Sequence, residues 1–118
     1  MKAFDIVFNR HLVFGAGKLQ EVPGMLSWYK VNKVFLTTFD RQNAGFLSLT
    51  EMLDKAGIAY IIYTDIYGEP DANCINHGRD LYLEEGCDCA VAFGGGSIID
   101  ATKAINMLAV NGGKIEEY

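Results

Sequence analysis

Short apolar runs alternate with amphipathic segments through most of this sequence, and the alternation limits the possible fold more than any single motif. The apolar runs are rich in β-branched and aromatic residues, and they read KVFLTT, IAYIIY and CAVAF. Each run is followed by a segment in which apolar residues recur at helical spacing. Strands and helices that alternate over short connections form a parallel sheet with helices on both faces. The sequence therefore predicts an α/β fold.

The boundaries of the predicted elements follow from the same pattern. Strands are predicted over 33–38, 58–63 and 89–93, and helices over 45–56, 72–85 and 97–110. The residues expected to face inward are Phe46, Leu49, Met52, Leu53, Ile75 and Leu81, with either Tyr82 or Leu83. Gly57 and Gly86 stand where helices end. Residues 4–14 alternate at period two and predict a leading β-hairpin, and a short helix or turn follows near Pro23.

Length and charge limit the classes of function. With 118 residues, the chain is long enough for one compact domain, so 1–118 is treated as one unit. The formal net charge is -5 and the basic residues are scattered, which argues against binding to nucleic acid or to an anionic membrane. No apolar run reaches membrane-spanning length, and charges interrupt the first residues too early for a signal peptide. We therefore expect a cytoplasmic protein.

The cysteines and histidines do not form a metal or disulfide pattern in the sequence. Cys74, Cys87 and Cys89 are an odd number, and only one residue separates the last two. We expect these cysteines to be reduced and structural. His11 and His77 are far apart and have no ligand spacing, so neither is assigned to a metal.

Three consecutive glycines, Gly94, Gly95 and Gly96, separate the third predicted strand from the third predicted helix. A backbone without β-carbons can approach a phosphate closely, and the free N–H groups and the dipole of the following helix attract an anion. Ser97 adds a hydroxyl donor. This position favours an anion site over a plain turn, since ligands of open α/β sheets bind at the carboxyl ends of strands.

Side chains after the glycines have more than one interpretation. Ser97 and Asp100 have the spacing of a capping box, in which both would close the helix N-terminus. Because a carboxylate repels phosphate, capping or orienting the loop is favoured for Asp100 over contact with a ligand hydroxyl. Lys103 either reaches a phosphate or is solvated, and the sequence leaves both alternatives open.

A second glycine group, in FGAGKLQ, does not complete a dinucleotide-binding pattern. Gly15 and Gly17 give G-x-G, but Gln20 stands where the third glycine belongs. The group also follows a predicted hairpin rather than the first strand of a βαβ unit. We interpret it as a tight turn.

The segment GGGSIIDATKAI resembles the GGGSxxDxxKA signature of the iron-containing, or group III, alcohol dehydrogenases. Other segments are similar to that family in the same order: LVFGAGKL, KVFLTT, LDKAGIAYIIY, GEPDANCINHG, EEGCDCAVAF and NGGKIEEY. The resemblance spans nearly the whole chain. It implies a Rossmann-like sheet, with 1–118 as part of the NAD(P)-binding N-terminal domain and a helical metal-binding domain outside this chain.

The resemblance also implies a site and a reaction. It places the cofactor pyrophosphate on Gly95, Gly96 and Ser97, with Gly94 and Asp100 shaping the loop. The whole protein would transfer hydride between a small alcohol and an aldehyde or ketone, using NAD or NADP and a divalent metal, usually iron. The family's first central strand commonly ends in Thr-Asp, whose aspartate meets the adenosine ribose. Here Phe39 holds that position and Asp40 follows, so the sequence leaves NAD and NADP open.

Several alternatives remain beside this interpretation. Ser97 favours the alcohol dehydrogenase branch over the related glycerol dehydrogenases and dehydroquinate synthases. Family members are about three times as long as this chain, in line with two or more domains, so we expect this chain alone to be inactive. A different class of function is a non-catalytic binding or assembly module, because an unfinished sheet leaves an open edge. We expect a homo-oligomer.

Overall fold

Three parallel strands form the centre of the structure, and helices lie on both of their faces. The computed structural model describes residues 16–66 and 71–113. In chain order the elements are a 3-10 helix (Lys18–Glu21), α1 (Val22–Trp28), β1 (Lys33–Thr38), α2 (Ala44–Lys55), β2 (Ala59–Tyr63), α3 (Ala72–Glu84), β3 (Cys89–Phe93) and α4 (Gly96–Asn111). The predicted α/β class is confirmed. The predicted hairpin lies outside the described residues.

Strand β1 occupies the middle of the sheet, in the order β2-β1-β3. Phe35 of β1 pairs with Ile61 on one side and with Ala90 on the other. Residues 34–38 are all buried, as expected for a strand with neighbours on both sides and helices on both faces. The chain therefore passes from β1 to β2 on one side and returns across β1 to reach β3.

Alternate residues of β1 enter two separate apolar clusters. Val34 and Leu36 belong to the α2-side cluster, which consists of Leu26, Val34, Leu36, Phe46, Leu49 and Leu53. Phe35 belongs to the α4-side cluster, which consists of Phe35, Tyr63, Ile66, Ile75, Tyr82, Ile98, Ala101, Ile105 and Leu108. Each fully buried large apolar side chain contributes about 1.5 to 3 kcal/mol. The helices predicted for both faces are thus confirmed.

The inward residues of α3 settle the alternative that the sequence leaves open. Tyr82 is buried, whereas Leu83 is 54% exposed. Leu81 is half-buried and packs against the α4-side cluster, and Met52 of α2 is half-buried but belongs to neither cluster. The predicted helix ends are confirmed, because Gly57 and Gly86 have φ values of 71° and 69°, which glycine adopts without strain.

Helices α3 and α4 cross closely at Gly78. A β-carbon at Gly78 would lie 2.5 Å from Cδ1 of Ile105 and 3.1 Å from Cε2 of Tyr63. The missing side chain lets α4 pack directly against α3. This contact fixes the middle of α4, and the first turn of α4 extends from it towards the carboxyl ends of the strands.

Asp88 closes the opposite edge of the sheet, where the strands begin. Its carboxylate accepts the backbone N–H groups of Asn32 and Lys33, both at 3.0 Å. The Lys33 ammonium donates to Glu85 at 2.8 Å. These contacts tie the start of β1 to the segment that leads into β3.

Candidate functional site

The loop after β3 begins with a glycine that the fold requires. Gly94 has a φ of 157°, and a β-carbon there would lie 2.9 Å from Cγ1 of Ile98 and 3.1 Å from its Cβ. Any larger residue would meet both an unfavourable backbone conformation and a steric clash. Gly94 therefore lets the chain leave β3 directly above the first turn of α4.

At Gly95 and Gly96, unlike Gly94, neither sterics nor backbone conformation requires a glycine. Gly95 has φ -85° and ψ -165°, a conformation open to any residue. A β-carbon at Gly95 or at Gly96 would meet no heavy atom of the described structure within 4 Å. Their backbone therefore faces open space. Neither packing nor backbone conformation within the described structure requires a glycine at these two positions.

The amino end of α4 carries unused backbone donors. Gly95 is its N-cap residue, and the first helical hydrogen bond runs from the N–H of Ile99 to the Gly95 carbonyl at 3.1 Å. The N–H groups of Gly96, Ser97 and Ile98 precede that bond, and the N-cap has no side chain to accept from them. Together with the helix dipole, they can bind an anion.

The capping box predicted for Ser97 and Asp100 is wrong. The helix begins at Gly96, one residue earlier than predicted, so Ser97 is already its second residue. Asp100 then lies beyond the first turn, and a capping box needs its acidic residue at the third helical position. Both side chains are exposed. The spacing was present, but Gly95 starts the helix.

An open depression of about 250 Å³ lies where β1 and β3 end. It is lined by Phe39, Gly95, Gly96, Ser97 and Ile98. The loop after β1 leads to α2 on one face of the sheet, and the loop after β3 leads to α4 on the other. The depression therefore occupies the topological switch point, where open α/β sheets bind ligands.

The structure separates the other candidate residues from this depression. Asp40 follows Phe39, but its Oδ1 accepts the Gln42 N–H at 2.9 Å within the turn. Neither Asp40 nor Asp100 lines the depression. Lys103 lines a different one of about 210 Å³, together with Ile99 and residues of β3, at the edge of the described sheet.

A pair of buried hydroxyls that connects β1 to α4 was missed in the sequence. Thr37 of β1 and Thr102 of α4 are 0% and 5% exposed, and their Oγ1 atoms are 2.6 Å apart. Thr102 Oγ1 also lies 2.6 Å from the Ile98 carbonyl, to which it donates. The two hydroxyls are hydrogen-bonded to each other, and Thr37 Oγ1 also lies 3.5 Å from the Val91 carbonyl oxygen. Thr37 and Thr102 are 65 residues apart, and no local pattern pairs them.

None of the three cysteines lines the depression, and Cys87 and Cys89 pack on opposite faces of the sheet. Cys87 packs against the α4-side cluster and Cys89 against the α2-side cluster, and with Cys74 all are free. Burial raises the pKa of each thiol above its ordinary value, which keeps it protonated and unreactive. Residues two apart in a strand share a face, but Cys87 precedes β3, which begins at Cys89, and its N–H donates to the Tyr82 carbonyl of α3 at 3.0 Å.

The remaining polar candidates also lie elsewhere. His77 Nδ1 is 3.9 Å from Asp65 Oδ2, and both side chains are more than half exposed. Gly17, with φ 77°, starts the 3-10 helix as a turn residue, whereas Gly15 and His11 lie outside the described residues. Across 16–66 and 71–113, no group of three or more His, Cys, Asp and Glu side chains can hold a metal ion. No helix in those ranges is both long and apolar enough to cross a bilayer.

Comparison with protein families places almost the whole sequence in one of them. The family model described as iron-containing alcohol dehydrogenase matches residues 9–118. The chain is 32% identical over 108 residues to an NAD-dependent methanol dehydrogenase of Bacillus methanolicus, covering 90% of this chain and 28% of that protein. It is 31% identical over 115 residues to a sulfoacetaldehyde reductase of Bilophila wadsworthia, covering 92% and 29%.

Comparison with solved structures gives the same architecture. The structure of a 1,3-propanediol oxidoreductase superposes with a TM-score of 0.88 at 25% identity, covering 99% of this chain and 31% of the other. The chain therefore spans about three tenths of the length of the proteins that it matches.

Proposed function

This chain belongs to the iron-containing alcohol dehydrogenase family, and we propose that it supplies the pyrophosphate site for a nicotinamide dinucleotide. The whole protein would interconvert a small alcohol and an aldehyde or ketone. When bound, the dinucleotide supplies or accepts the hydride. Two of the similar proteins are a methanol dehydrogenase described as NAD-dependent and a sulfoacetaldehyde reductase, both of which fit this reaction class.

The observation that carries the proposal is the open space around Gly95 and Gly96. Neither packing nor φ requires a glycine at either position. A ligand that touches the backbone supplies a reason for both. Side chains at these two positions would occupy the space in which a pyrophosphate contacts the N–H groups of α4.

In this proposal the residues of the loop have different tasks. Gly95 and Gly96 admit the pyrophosphate, and the N–H groups of Gly96 to Ile98 donate to its oxygens. The exposed Ser97 hydroxyl adds a donor. Gly94 supports the loop through its contact with Ile98. Asp100 lies outside the depression, so its proposed role is to orient the glycine loop and not to contact the phosphate.

Phe39 forms the second wall of the depression and bears on the choice between NAD and NADP. Its side chain is 57% exposed, and the neighbouring Asp40 carboxylate is occupied by the Gln42 N–H. A carboxylate beside the ribose would accept its 2′-hydroxyl and repel a 2′-phosphate. We propose that this chain lacks that discrimination and binds both dinucleotides within about tenfold of each other.

The metal belongs to the whole protein in this proposal and not to the described residues. These residues contain no group that can hold a metal ion, so we assign none of them a role in metal chemistry. We also propose a homo-oligomer, and the cytoplasm remains our expectation for its compartment.

The test is titration of the full-length protein with NADH and NADPH, followed by fluorescence or calorimetry. We expect both to bind, and Gly95→Val to weaken NADH binding by at least about tenfold while lowering folding stability by no more than about 1 kcal/mol, since valine is a poor N-cap residue. Gly24→Val is the matched control, because Gly24 also faces open space but lies on α1, outside the depression. Absence of binding by either dinucleotide would contradict the proposal and favour a non-catalytic binding module.

A further inference from the structure

We propose that Thr37 and Thr102 are positioning residues that set the distance between the two walls of the dinucleotide site. This inference rests on the proposed function. Neither residue lines the depression. They join the strand that precedes one wall to the helix that carries the other, through buried hydroxyls.

Two hydrogen bonds connect the strand to the loop. Thr37, two residues before Phe39, is hydrogen-bonded to Thr102 at 2.6 Å, and Thr102 donates to the Ile98 carbonyl at 2.6 Å. Ile98 lines the depression, and its side chain lies directly under Gly94. The chain of contacts therefore leads from β1 through α4 to the first residue of the glycine loop.

The Thr37–Thr102 hydrogen bond provides a constraint that apolar packing of α4 does not. Ile98, Ala101 and Ile105 pack α4 against the sheet, but apolar contacts have no preferred direction and allow a helix to slide. A hydrogen bond fixes both distance and angle. The Thr37–Thr102 bond thus sets the axial position of the first turn of α4 relative to the end of β1.

The consequence concerns affinity. Pyrophosphate must meet the N–H groups of Gly96 to Ile98 while the rest of the ligand lies along Phe39. A shift of the helix turn would misalign the two sets of contacts. The loss of one such positioning hydrogen bond should weaken NADH binding about threefold to tenfold.

The experiment separates the hydroxyl from the volume of the side chain. In the full-length protein, Thr37→Val and Thr102→Val keep the shape and remove the hydroxyl, whereas Thr102→Ser keeps the hydroxyl and removes a methyl group. We expect both valine variants to raise the Kd for NADH about threefold to tenfold, and Thr102→Ser to stay within about twofold of the original protein. The double valine variant should match the single ones, because either change breaks the same link.

Ile105→Val is the control for general destabilisation, since Ile105 is buried in α4 two turns beyond Ile98. It should lower the midpoint of urea unfolding and leave the Kd unchanged. If the valine variants lower only that midpoint, as Ile105→Val does, or if Thr102→Ser weakens binding equally, the positioning role is wrong. If the unaltered protein binds neither NADH nor NADPH, the proposed function fails instead, and that result is distinct.

Discussion

Helices α2, α3 and α4 begin at the same edge of the sheet, but they differ in whether a side chain accepts their first backbone N–H groups. In α2, the Asn43 side chain accepts the N–H groups of Gly45 and Phe46, at 2.9 and 3.2 Å. In α3, Asp71 accepts the N–H of Cys74 at 2.8 Å. The N-cap residue of α4 is Gly95, which has no side chain to accept any of them. Two helices are closed by their own residues, and the third is open.

The backbone does not force this difference. Asp71 has φ -109° and ψ 171°, and Gly95 has φ -85° and ψ -165°, so both adopt the extended conformation of an N-cap residue. An aspartate or serine at Gly95 would fit and would satisfy a donor. The missing cap supports our proposal that the amino end of α4 is kept free for a ligand.

The largest effect is expected within the glycine triplet itself. Gly94→Val should lower the free energy of unfolding by about 3 kcal/mol, because its φ is unfavourable for valine and its side chain would overlap Ile98. Urea unfolding measures this loss. Gly96→Ala is the control and should change stability by less than about 0.5 kcal/mol. Equal losses in the two variants would contradict the distinction between a glycine that the fold needs and one that the ligand needs.

A capping side chain at Gly95, like that of Asp71 on α3, should lower the affinity for NADH and raise the stability. We expect Gly95→Asp to weaken NADH binding about 100-fold, which is about 2.7 kcal/mol, because the carboxylate takes the N–H groups and repels the pyrophosphate. The same change should raise the free energy of unfolding by roughly a few tenths of a kcal/mol, because the new side chain caps the helix. Calorimetric titration and urea unfolding on one preparation measure both. A stabilised variant with undiminished affinity would remove the basis for a ligand at this terminus.

Removing the N-terminal cap of α3 should lower stability and leave the affinity for NADH unchanged. Asp71→Ala removes the acceptor for the Cys74 N–H and should cost about 1 kcal/mol of stability. The Kd for NADH should remain within about twofold, since Asp71 does not line the depression. Asp71→Asn keeps an acceptor oxygen and should retain most of the stability. Thermal unfolding gives the first quantity and fluorescence titration the second.

The smallest effect is expected at the opposite edge of the sheet, where Asp88 also accepts backbone N–H groups. The hydrogen bonds from Lys33 and then Asn32 hold the pKa of its carboxyl below the ordinary value. The ionised form is therefore favoured by folding. Its contribution is fully present above the unfolded-state pKa and is lost as pH falls through the lower folded-state pKa.

This contribution can be measured by comparing the original protein with Asp88→Asn. Below about pH 4, the original protein should lose stability more steeply than the variant, by less than about 1 kcal/mol because the carboxylate is exposed to solvent. Urea unfolding at several acidic pH values gives the two slopes. Parallel slopes would show that the hydrogen bonds to Asn32 and Lys33 do not favour the ionised form.

Much of the fold could be predicted because its signals are local. Strands 33–38 and 89–93 agree with the structure to the residue, and helices α2, α3 and α4 agree within one residue at each end. Apolar period, β-branching and terminal glycines all lie within short windows. Which of Tyr82 and Leu83 faces inward could not be predicted, because it depends on how α3 packs on β1.

The candidate site was less predictable because it joins distant segments. The glycine loop has a sequence signal, but the hydrogen bond between Thr37 and Thr102 spans 65 residues and has none. The error at Ser97 and Asp100 has a local cause. A capping-box spacing is only two letters long, and a glycine one or two positions earlier can start the helix instead.

The division of the core by β1 has a consequence for how substitutions combine. The α2-side cluster supports the helix that follows the Phe39 wall, and the α4-side cluster supports the helix that begins at the glycine wall. Leu49 and Ile105 lie in different clusters, on opposite faces of the sheet, and share no neighbour within either cluster. Changes in free energy at such independent sites add. The two faces can therefore be redesigned separately and their best variants combined.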